Sequence, residues 1–205
     1  MGNLMSSTAP MHNKGRRLPP EVLTKEEVQS LMDACSKRAP TGKRDRAIIC
    51  LLWRGQLRIS EALKLKPADV DLQTGTVKVL GGKGGKFRTV GIDSKCCAVV
   101  GVWLEARAKL GVNGHQPLFC TLRGGRIDSA QIREKLPKLG EKAGITKRVH
   151  AHGLRHTGAS ELVEEGASLL EIQEQLGHSN AATTDRYLKQ INPKARLERM
   201  RSREW

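Results

Sequence analysis

Tyr187 is the only tyrosine in this 205-residue sequence, and it follows His178 by nine residues. A tyrosine phenol has a pKa of about 10, so only about one part in a thousand is ionised at pH 7. It therefore needs a proton acceptor and nearby cations before it can attack phosphorus. Arginines and histidines stand upstream at wide spacing, and this combination predicts metal-free cleavage of a phosphodiester through a covalent tyrosyl intermediate.

Two arginines could form a clamp for the phosphate. Arg58 precedes Glu61 by three residues, and Arg155 follows His152 by the same interval. A guanidinium fork can bind two phosphate oxygens and keeps its charge at any working pH. Residues three apart share one face of a helix, so His152 would place an acid/base imidazole beside the Arg155 clamp. His178 could donate a further hydrogen bond to the same phosphate.

A glycine-rich stretch at 81–86 lies between two segments that alternate at period two, 76–80 and 87–92. This pattern predicts a β-hairpin with a basic tip. An ammonium group whose pKa is lowered by nearby positive charge could deliver a proton to the departing 5′-oxygen. Lys83 is the candidate for this general acid.

Each of these residues also has a simpler explanation. Arg58 could pair with Glu61 one helical turn away, in a surface ion pair worth less than about 1 kcal/mol. Histidines on amphipathic helices often pack or cap. His150, His152 and His156 could indicate zinc, but no acidic or thiol partner lies at ligand spacing, so we expect neither a metal nor another cofactor. The joint occurrence of the motifs favours catalysis over the separate explanations.

The composition indicates the class of partner. A formal net charge of +15 favours a polyanion, and nucleic acid is the usual one. An aromatic content of 3% argues against reading single strands by base stacking, so we expect duplex DNA. The five cysteines contain no C-x-x-C pair, and no apolar run is long enough to span a bilayer. We therefore expect a cytosolic protein with reduced thiols and without a membrane partner.

The periodicities predict a mostly helical α+β fold, with helices around one small antiparallel β-sheet. Thr24 and Glu27 form a capping box for the first helix, and Ser60 could cap a short helix through Leu65. Gly166 and Gly177 are natural helix stops. Further helices are predicted at about 44–53, 94–109, 128–142, 152–165, 168–175, 181–189 and 193–203, with a short strand at 118–120.

The chain divides into a flexible basic arm at 1–20, a catalytic domain at 21–190 and a C-terminal helical tail at 191–205. The tail is amphipathic and arginine-rich, and it could dock either on its own domain or in trans on a neighbouring subunit. The basic residues of the arm and hairpin are candidates for phosphate contacts, with a solvated surface as the simpler alternative. The predicted DNA-binding residues are Lys14, Arg16, Arg17, Lys86 and Arg88.

Four motifs in this order resemble those of the tyrosine recombinase (phage integrase) family, over about residues 21–195. They are the segments 57–63, 152–156 and 176–178, followed by Tyr187. The resemblance implies the family's catalytic-domain fold and site-specific recombination or integration through a 3′-phosphotyrosyl intermediate, without metal or ATP. It also implies phosphate activation by Arg58, Lys83, His152, Arg155 and His178, support of the pocket by Glu61, and nucleophilic attack by Tyr187.

The sequence departs from the family pattern in three places. Gln56 stands where the family normally has glycine. The hairpin tip carries one extra glycine, so Lys86 is the alternative to Lys83 as the general acid. The motifs also begin close to Met1, whereas most members carry a helical DNA-binding domain ahead of the catalytic domain. Both a natural single-domain recombinase and a segment of a longer chain fit this. The implied partners are double-stranded DNA, further copies of the chain in a tetramer on DNA, and an accessory DNA-bending protein.

Three other functions compete with recombination. A type IB topoisomerase-like enzyme that relaxes DNA would share the chemistry, although the short chain and the segment 176–178 favour recombination. A non-catalytic DNA-binding regulator would explain the charge, but the intact tyrosine and both arginines argue against an inactive site. An RNA- or ribosome-binding protein would explain the charge and none of the motifs.

The arm yields a first prediction. Deleting residues 1–18 should weaken DNA binding and reduce the slope of log affinity against log salt by up to about 3, because each lost phosphate contact removes about 0.9. Fluorescence anisotropy over a salt series measures both quantities. The matched control replaces only Lys14, Arg16 and Arg17 by glutamine and should reproduce the loss. Unchanged affinity in the deletion would contradict a role for the arm.

Overall fold

The computed structural model describes residues 22–80, 87–178 and 201–202. The described residues form helices around one three-stranded antiparallel sheet in the order β1-β2-β3, which confirms the predicted α+β class. The elements are α1 (Lys25–Asp33), α2 (Pro40–Trp53), α3 (Ile59–Ala62), a 3-10 turn (Pro67–Asp69), β1 (Val70–Asp71), β2 (Thr76–Leu80), β3 (Phe87–Gly91), α4 (Ser94–Lys109), α5 (Ser129–Lys142), α6 (Ala151–Glu164) and α7 (Leu169–Leu176).

Helix α2 is the central element of the fold. Most of its residues are buried on all sides, as expected for a helix that packs inside a domain. It packs against α4 and α6, and it ends beside the turn that carries Arg58. The helix begins at Pro40, four residues before the predicted start, because proline is already set to a helical φ in the first turn.

Two of the predicted caps have different outcomes. The capping box of α1 is confirmed: Glu27 N–H donates to Thr24 Oγ1 at 3.2 Å, and Thr24 N–H donates to Glu27 Oε2 at 2.7 Å. The Ser60 cap is wrong. Arg58 occupies the N-cap position of α3, and its backbone N–H donates to the Glu61 carboxylate at 2.8 Å. The acidic residue thus satisfies the helix start that serine was expected to cap.

The predicted hairpin is confirmed in its two strands. Leu80 lies opposite Phe87, and Val77 lies opposite Val90 with both side chains buried. The tip at 81–86, with both candidate lysines, lies outside the described residues. Strand β1, which pairs with β2, is an addition that the sequence pattern missed, because two residues are too few for a recognisable alternation.

The predicted strand at 118–120 is wrong. Within the described residues only one isolated bridge forms there, between Cys120 and Arg126. The backbone of Leu118 is engaged elsewhere: its N–H donates to the Leu65 carbonyl at 2.6 Å, and its carbonyl accepts from Trp103 Nε1 at 2.9 Å. These contacts hold the segment against α4 and the end of the α3 region instead of in a sheet.

Helix α6 crosses the end of α2 with almost no space between the backbones. A Cβ atom added at Gly158 would lie 1.9 Å from the Trp53 carbonyl oxygen and 2.6 Å from Gln56 Nε2. Only glycine permits this approach, and it brings Arg155 beside the Arg58 turn. The helices predicted at 181–189 and 193–203, the arm at 1–20 and the tail at 191–205 fall wholly or almost wholly outside the described residues.

The close crossing yields a stability prediction. Gly158→Ala should lower the free energy of unfolding by at least about 1–3 kcal/mol, because the added methyl group overpacks the contact between α6 and α2. Gly101→Ala is the matched control, since its Cβ would meet only Leu72 Cδ1 at 3.5 Å. Removing a helical glycine there should be neutral or stabilise by about 0.5–1 kcal/mol. Equal denaturant midpoints for the two variants would refute the crossing.

Candidate active site

The turn between α2 and α3 is built on a buried residue in the left-handed region. Gln56 has a φ of 46°, a conformation that glycine adopts most easily. Its side-chain Nε2 donates to the Trp53 carbonyl at 2.8 Å, and its own carbonyl accepts a hydrogen bond from Arg155 Nη1. The chain therefore forms with glutamine the turn for which the family resemblance implies glycine, and Arg58 still follows it at the start of α3.

Arg155 joins three segments that are far apart in the sequence. Its side chain is only 2% exposed, and besides the Gln56 carbonyl it donates to the Leu176 carbonyl at 2.7 Å. The same Nη2 atom lies 3.4 Å from His178 Nε2. Arg155 thus connects α6, the Arg58 turn and the end of α7.

Glu61 is the acidic centre of the site. Its carboxylate, 8% exposed, accepts hydrogen bonds from Arg58 Nη1 at 2.8 Å and from both terminal nitrogens of Arg88 at 2.9 and 3.0 Å. Arg155 Nη1 lies 3.9 Å away. Burial alone would raise the pKa of Glu61, but the hydrogen bonds from Arg88 and Arg58 and the charge of Arg88 outweigh it and lower the pKa to about 2. The carboxylate is therefore ionised at any working pH.

Arg58 is both paired and partly exposed. It forms the ion pair with Glu61, yet 44% of its side chain is exposed. Arg155, by contrast, is almost fully buried. One carboxylate among three guanidinium groups leaves a net positive cluster, and Arg58 is its exposed member. Such a cluster is suited to hold a phosphate.

The two histidines predicted to act on the phosphate both belong to this cluster. Burial, followed by the charges of Arg155, Arg58 and Arg88, lowers the pKa of His178 to about 4. Partial burial and then the charge of Arg155 lower the pKa of His152 as well. Both imidazoles are thus neutral at pH 7, and each has one donor and one acceptor nitrogen. His152 is exposed and can accept a proton from a group that approaches from solvent.

His156 supports His152 from the protein side. The two rings pack edge to face with centroids 4.1 Å apart, and His156 is buried. Burial, followed by the charges of His152, His150 and Arg155, lowers the pKa of His156 to about 3. In the part of the chain that the structure describes, no three histidine, cysteine or acidic side chains lie close enough to hold a metal ion.

The structure brings together Arg58, Glu61, His152, Arg155 and His178 from the predicted set. Lys14, Arg16, Arg17, Lys83, Lys86 and Tyr187 lie outside the described residues. Arg88, predicted to bind DNA, directs its guanidinium to Glu61, because its side chain points to the core side of β3.

Sequence reasoning missed three groups at this site. They are the Gln56 carbonyl, the pairing of Arg88 with Glu61, and Gln175, whose side-chain amide exchanges hydrogen bonds with the backbone of Gly91 at 2.8 and 3.1 Å. Only the Arg88 pairing had a sequence signal. Position 88 faces the same side of the strand as the buried Val90, which indicates an inward charge that needs a partner.

The comparison with known proteins agrees with this geometry. The model of the phage integrase family matches residues 21–192. The chain belongs to the phage integrase family. Tyrosine recombinase XerA of Thermococcus kodakarensis is 41% identical over 173 residues, which are 83% of this chain and 58% of the relative. Tyrosine recombinase XerC of Halalkalibacterium halodurans is 38% identical over 180 residues, 85% of this chain and 59% of the relative.

Solved structures of recombinases share the fold. A crystal structure of XerA recombinase superposes with a TM-score of 0.78 at 34% identity, covering 91% of this chain and 66% of that one. The structure of XerH recombinase bound to palindromic difH substrate, a post-cleavage complex, superposes with a TM-score of 0.73 at 30% identity. The match covers 90% of this chain and 53% of that one. The chain thus spans about three fifths of the length of the curated relatives named above. No helix in the described ranges is long and apolar enough to cross a membrane.

The lowered histidine pKa values predict acid sensitivity. A histidine whose folded pKa lies below its unfolded value of about 6.5 binds its proton only on unfolding, so stability falls as pH drops from about 6.5 toward the folded pKa. Between pH 7 and 5, the free energy of unfolding of His156→Gln should fall by roughly 1–2 kcal/mol less than that of the unaltered protein. Denaturant unfolding at both pH values measures this loss. His115→Gln, at an exposed site, is the control, and an equal pH dependence in both variants would contradict the burial effect.

Proposed function

We propose that this chain is the catalytic part of a site-specific DNA recombinase or integrase. The single observation that carries the proposal is the Glu61-centred cluster, which gathers Arg58, Arg155 and His178 from three distant segments. Membership of the phage integrase family supports it. The relatives named as recombinases favour recombination over supercoil relaxation or non-catalytic regulation.

In the proposed reaction, the Tyr187 oxygen attacks the scissile phosphorus. A bond forms between this oxygen and phosphorus, and the bond from phosphorus to the 5′-oxygen breaks, which leaves a 3′-phosphotyrosyl link and a free 5′-hydroxyl. The phenol proton passes to neutral His152, and Lys83, with Lys86 as the alternative, protonates the departing oxygen. Attack by a 5′-hydroxyl of another strand reverses these steps. The ester retains the energy of the bond it replaces, so joining needs no ATP.

The cluster would stabilise the transition state by charge. Arg58 and Arg155 would neutralise the pentacovalent phosphorane, and His178 would donate a hydrogen bond to a non-bridging oxygen. Ionised Glu61 would hold the guanidinium groups together against their mutual repulsion. Since these groups are already oriented in the folded protein, little reorganisation is needed when the phosphate arrives. The expected loss for one such donor is about 100- to 1000-fold in rate.

The proposed partner is double-stranded DNA, on which copies of the chain would assemble as a tetramer with the 191–205 tail docking in trans. An accessory DNA-bending protein is a further proposed partner. The basic residues Lys14, Arg16, Arg17 and Lys86 would contact phosphates flanking the cleavage point, and the net charge of +15 supports this. We place the protein in the cytoplasm of a bacterial or phage host cell, associated with the nucleoid.

Covalent capture tests this function without knowledge of the target site. The intact chain is incubated with a randomised duplex library that carries 5′-bridging phosphorothiolates, whose thiol leaving group cannot rejoin. We expect a protein–DNA adduct that resists denaturation, and sequencing of the attached end yields the site. Tyr187→Phe should abolish the adduct, and Arg155→Lys should slow its formation at least about 100-fold.

The control for this capture is Lys138→Gln, a change in an exposed ion pair on α5, which should leave the adduct unaffected. The proposal fails if the intact chain gives no adduct. An adduct that survives Tyr187→Phe would refute the assigned nucleophile.

A further inference from the structure

Arg88 occupies an unusual place for a charged residue. It lies opposite Val79 on the core side of the β2–β3 hairpin, and its side chain is only 16% exposed. A buried guanidinium is tolerated where its charge is paired and its nitrogens are hydrogen-bonded. Both terminal nitrogens of Arg88 meet this condition by donating to the two oxygens of Glu61, in a fork-to-fork pair.

The same guanidinium touches the turn that carries His178. Gly177 ends α7 in the left-handed conformation, with a φ of 63°. A Cβ atom there would lie 2.6 Å from Arg88 Nε and 2.7 Å from its Cδ and Cζ. The arginine therefore packs directly on the glycine backbone, one residue before the imidazole. Glycine is needed both for the φ and for this contact.

A second link holds the strand that carries Arg88 in place. Gln175, on the last turn of α7, receives a hydrogen bond from Gly91 N–H and donates one to the Gly91 carbonyl. Strand β3 is thus attached to α7 both at Gly91 and through Arg88. These contacts link β3 directly to the turn that carries His178.

We propose that Arg88 is a positioning residue, which acts through Glu61 and the Gly177 backbone to hold Arg58 and His178 in place for the phosphate. The inference rests on the proposed function. A direct phosphate contact is the competing role. It is disfavoured because the terminal nitrogens of Arg88 form a fork-to-fork ion pair with Glu61, whereas those of Arg155 donate to neutral carbonyls. The Nε atom of Arg88 is also buried, without an acceptor among the described residues.

Coupling between Arg88 and Glu61 is the decisive measurement. Single-turnover adduct formation is followed for Arg88→Met, Arg88→Lys, Glu61→Gln and the double variant Glu61→Gln with Arg88→Met. We expect Arg88→Met to slow cleavage about ten- to hundredfold, and Arg88→Lys to recover part of the loss. The losses in the double variant should be smaller than the product of the two single losses, because part of the arginine's effect passes through the carboxylate. If the rate loss in the double variant equals the product of the two single losses, the proposal is overturned.

Two further readouts separate positioning from other roles. DNA affinity and its salt slope should stay unchanged in Arg88→Met, whereas a slope reduced by about 1 would identify a phosphate contact and refute the inference. The low-pH limb of the cleavage rate should move to higher pH, since Glu61 loses the donor that keeps it ionised.

Arg44→Lys is the matched control. Arg44 is buried, and its Nε and Nη2 both donate to Asp45 Oδ1. It lies two turns of α2 or more from the site, so its replacement should affect stability and not the rate per folded molecule.

Failure of the proposed function is distinguishable from failure of this inference. If the unaltered chain forms no adduct, the coupling is read from unfolding of the same four variants. At pH 7, Arg88 and Glu61 should show a coupling in the free energy of unfolding. This coupling should decline as pH falls from about 4.5 toward 2, because protonation of Glu61 ends its ion pair. Absence of coupling at pH 7 would overturn the link between Arg88 and Glu61 whatever the activity.

Discussion

The site depends on one buried carboxylate that holds positive groups together. Arg58 and Arg88 hydrogen-bond to Glu61, and Arg155 lies within 3.9 Å of it. Without that negative charge, the guanidinium groups would repel one another in a poorly screened interior. With it, they form a cluster that is positive overall and fixed in direction. The carboxylate thus allows the fold to hold three guanidinium groups close together.

Backbone geometry provides the second constraint. The contact of Gly158 with the Trp53 carbonyl sets the distance between α6 and α2, and the left-handed Gln56 turns the chain so that its carbonyl faces Arg155. At the other side, the left-handed Gly177 allows Arg88 to lie against the end of α7. Charge and backbone shape therefore reinforce each other, since each arginine is held by a carbonyl, a carboxylate or a glycine surface.

The positive cluster also lowers the pKa of the nearby histidines. Burial and the neighbouring arginines hold the pKa of His178 at about 4 and keep its imidazole neutral. A neutral ring can donate to a phosphate without adding to the repulsion within the cluster. The same positive field would also favour an anionic ligand. The cluster is thus positive overall even though its centre is itself an anion.

The order of the helices, the Thr24 cap, the hairpin strands and the identity of Arg58, Glu61, His152, Arg155 and His178 as a group could be predicted from the sequence. Local periodicity and capping patterns predict the helices, the cap and the strands, whereas the family resemblance of the motifs predicts the grouping of the site residues. The strand at 118–120 could not be excluded, because its backbone partners lie in Leu65 and Trp103. The pairing of Arg88 with Glu61 and of Arg155 with the Gln56 carbonyl was decided only by tertiary structure. Spacing determines which side chains share an element, whereas packing between elements determines which of them meet.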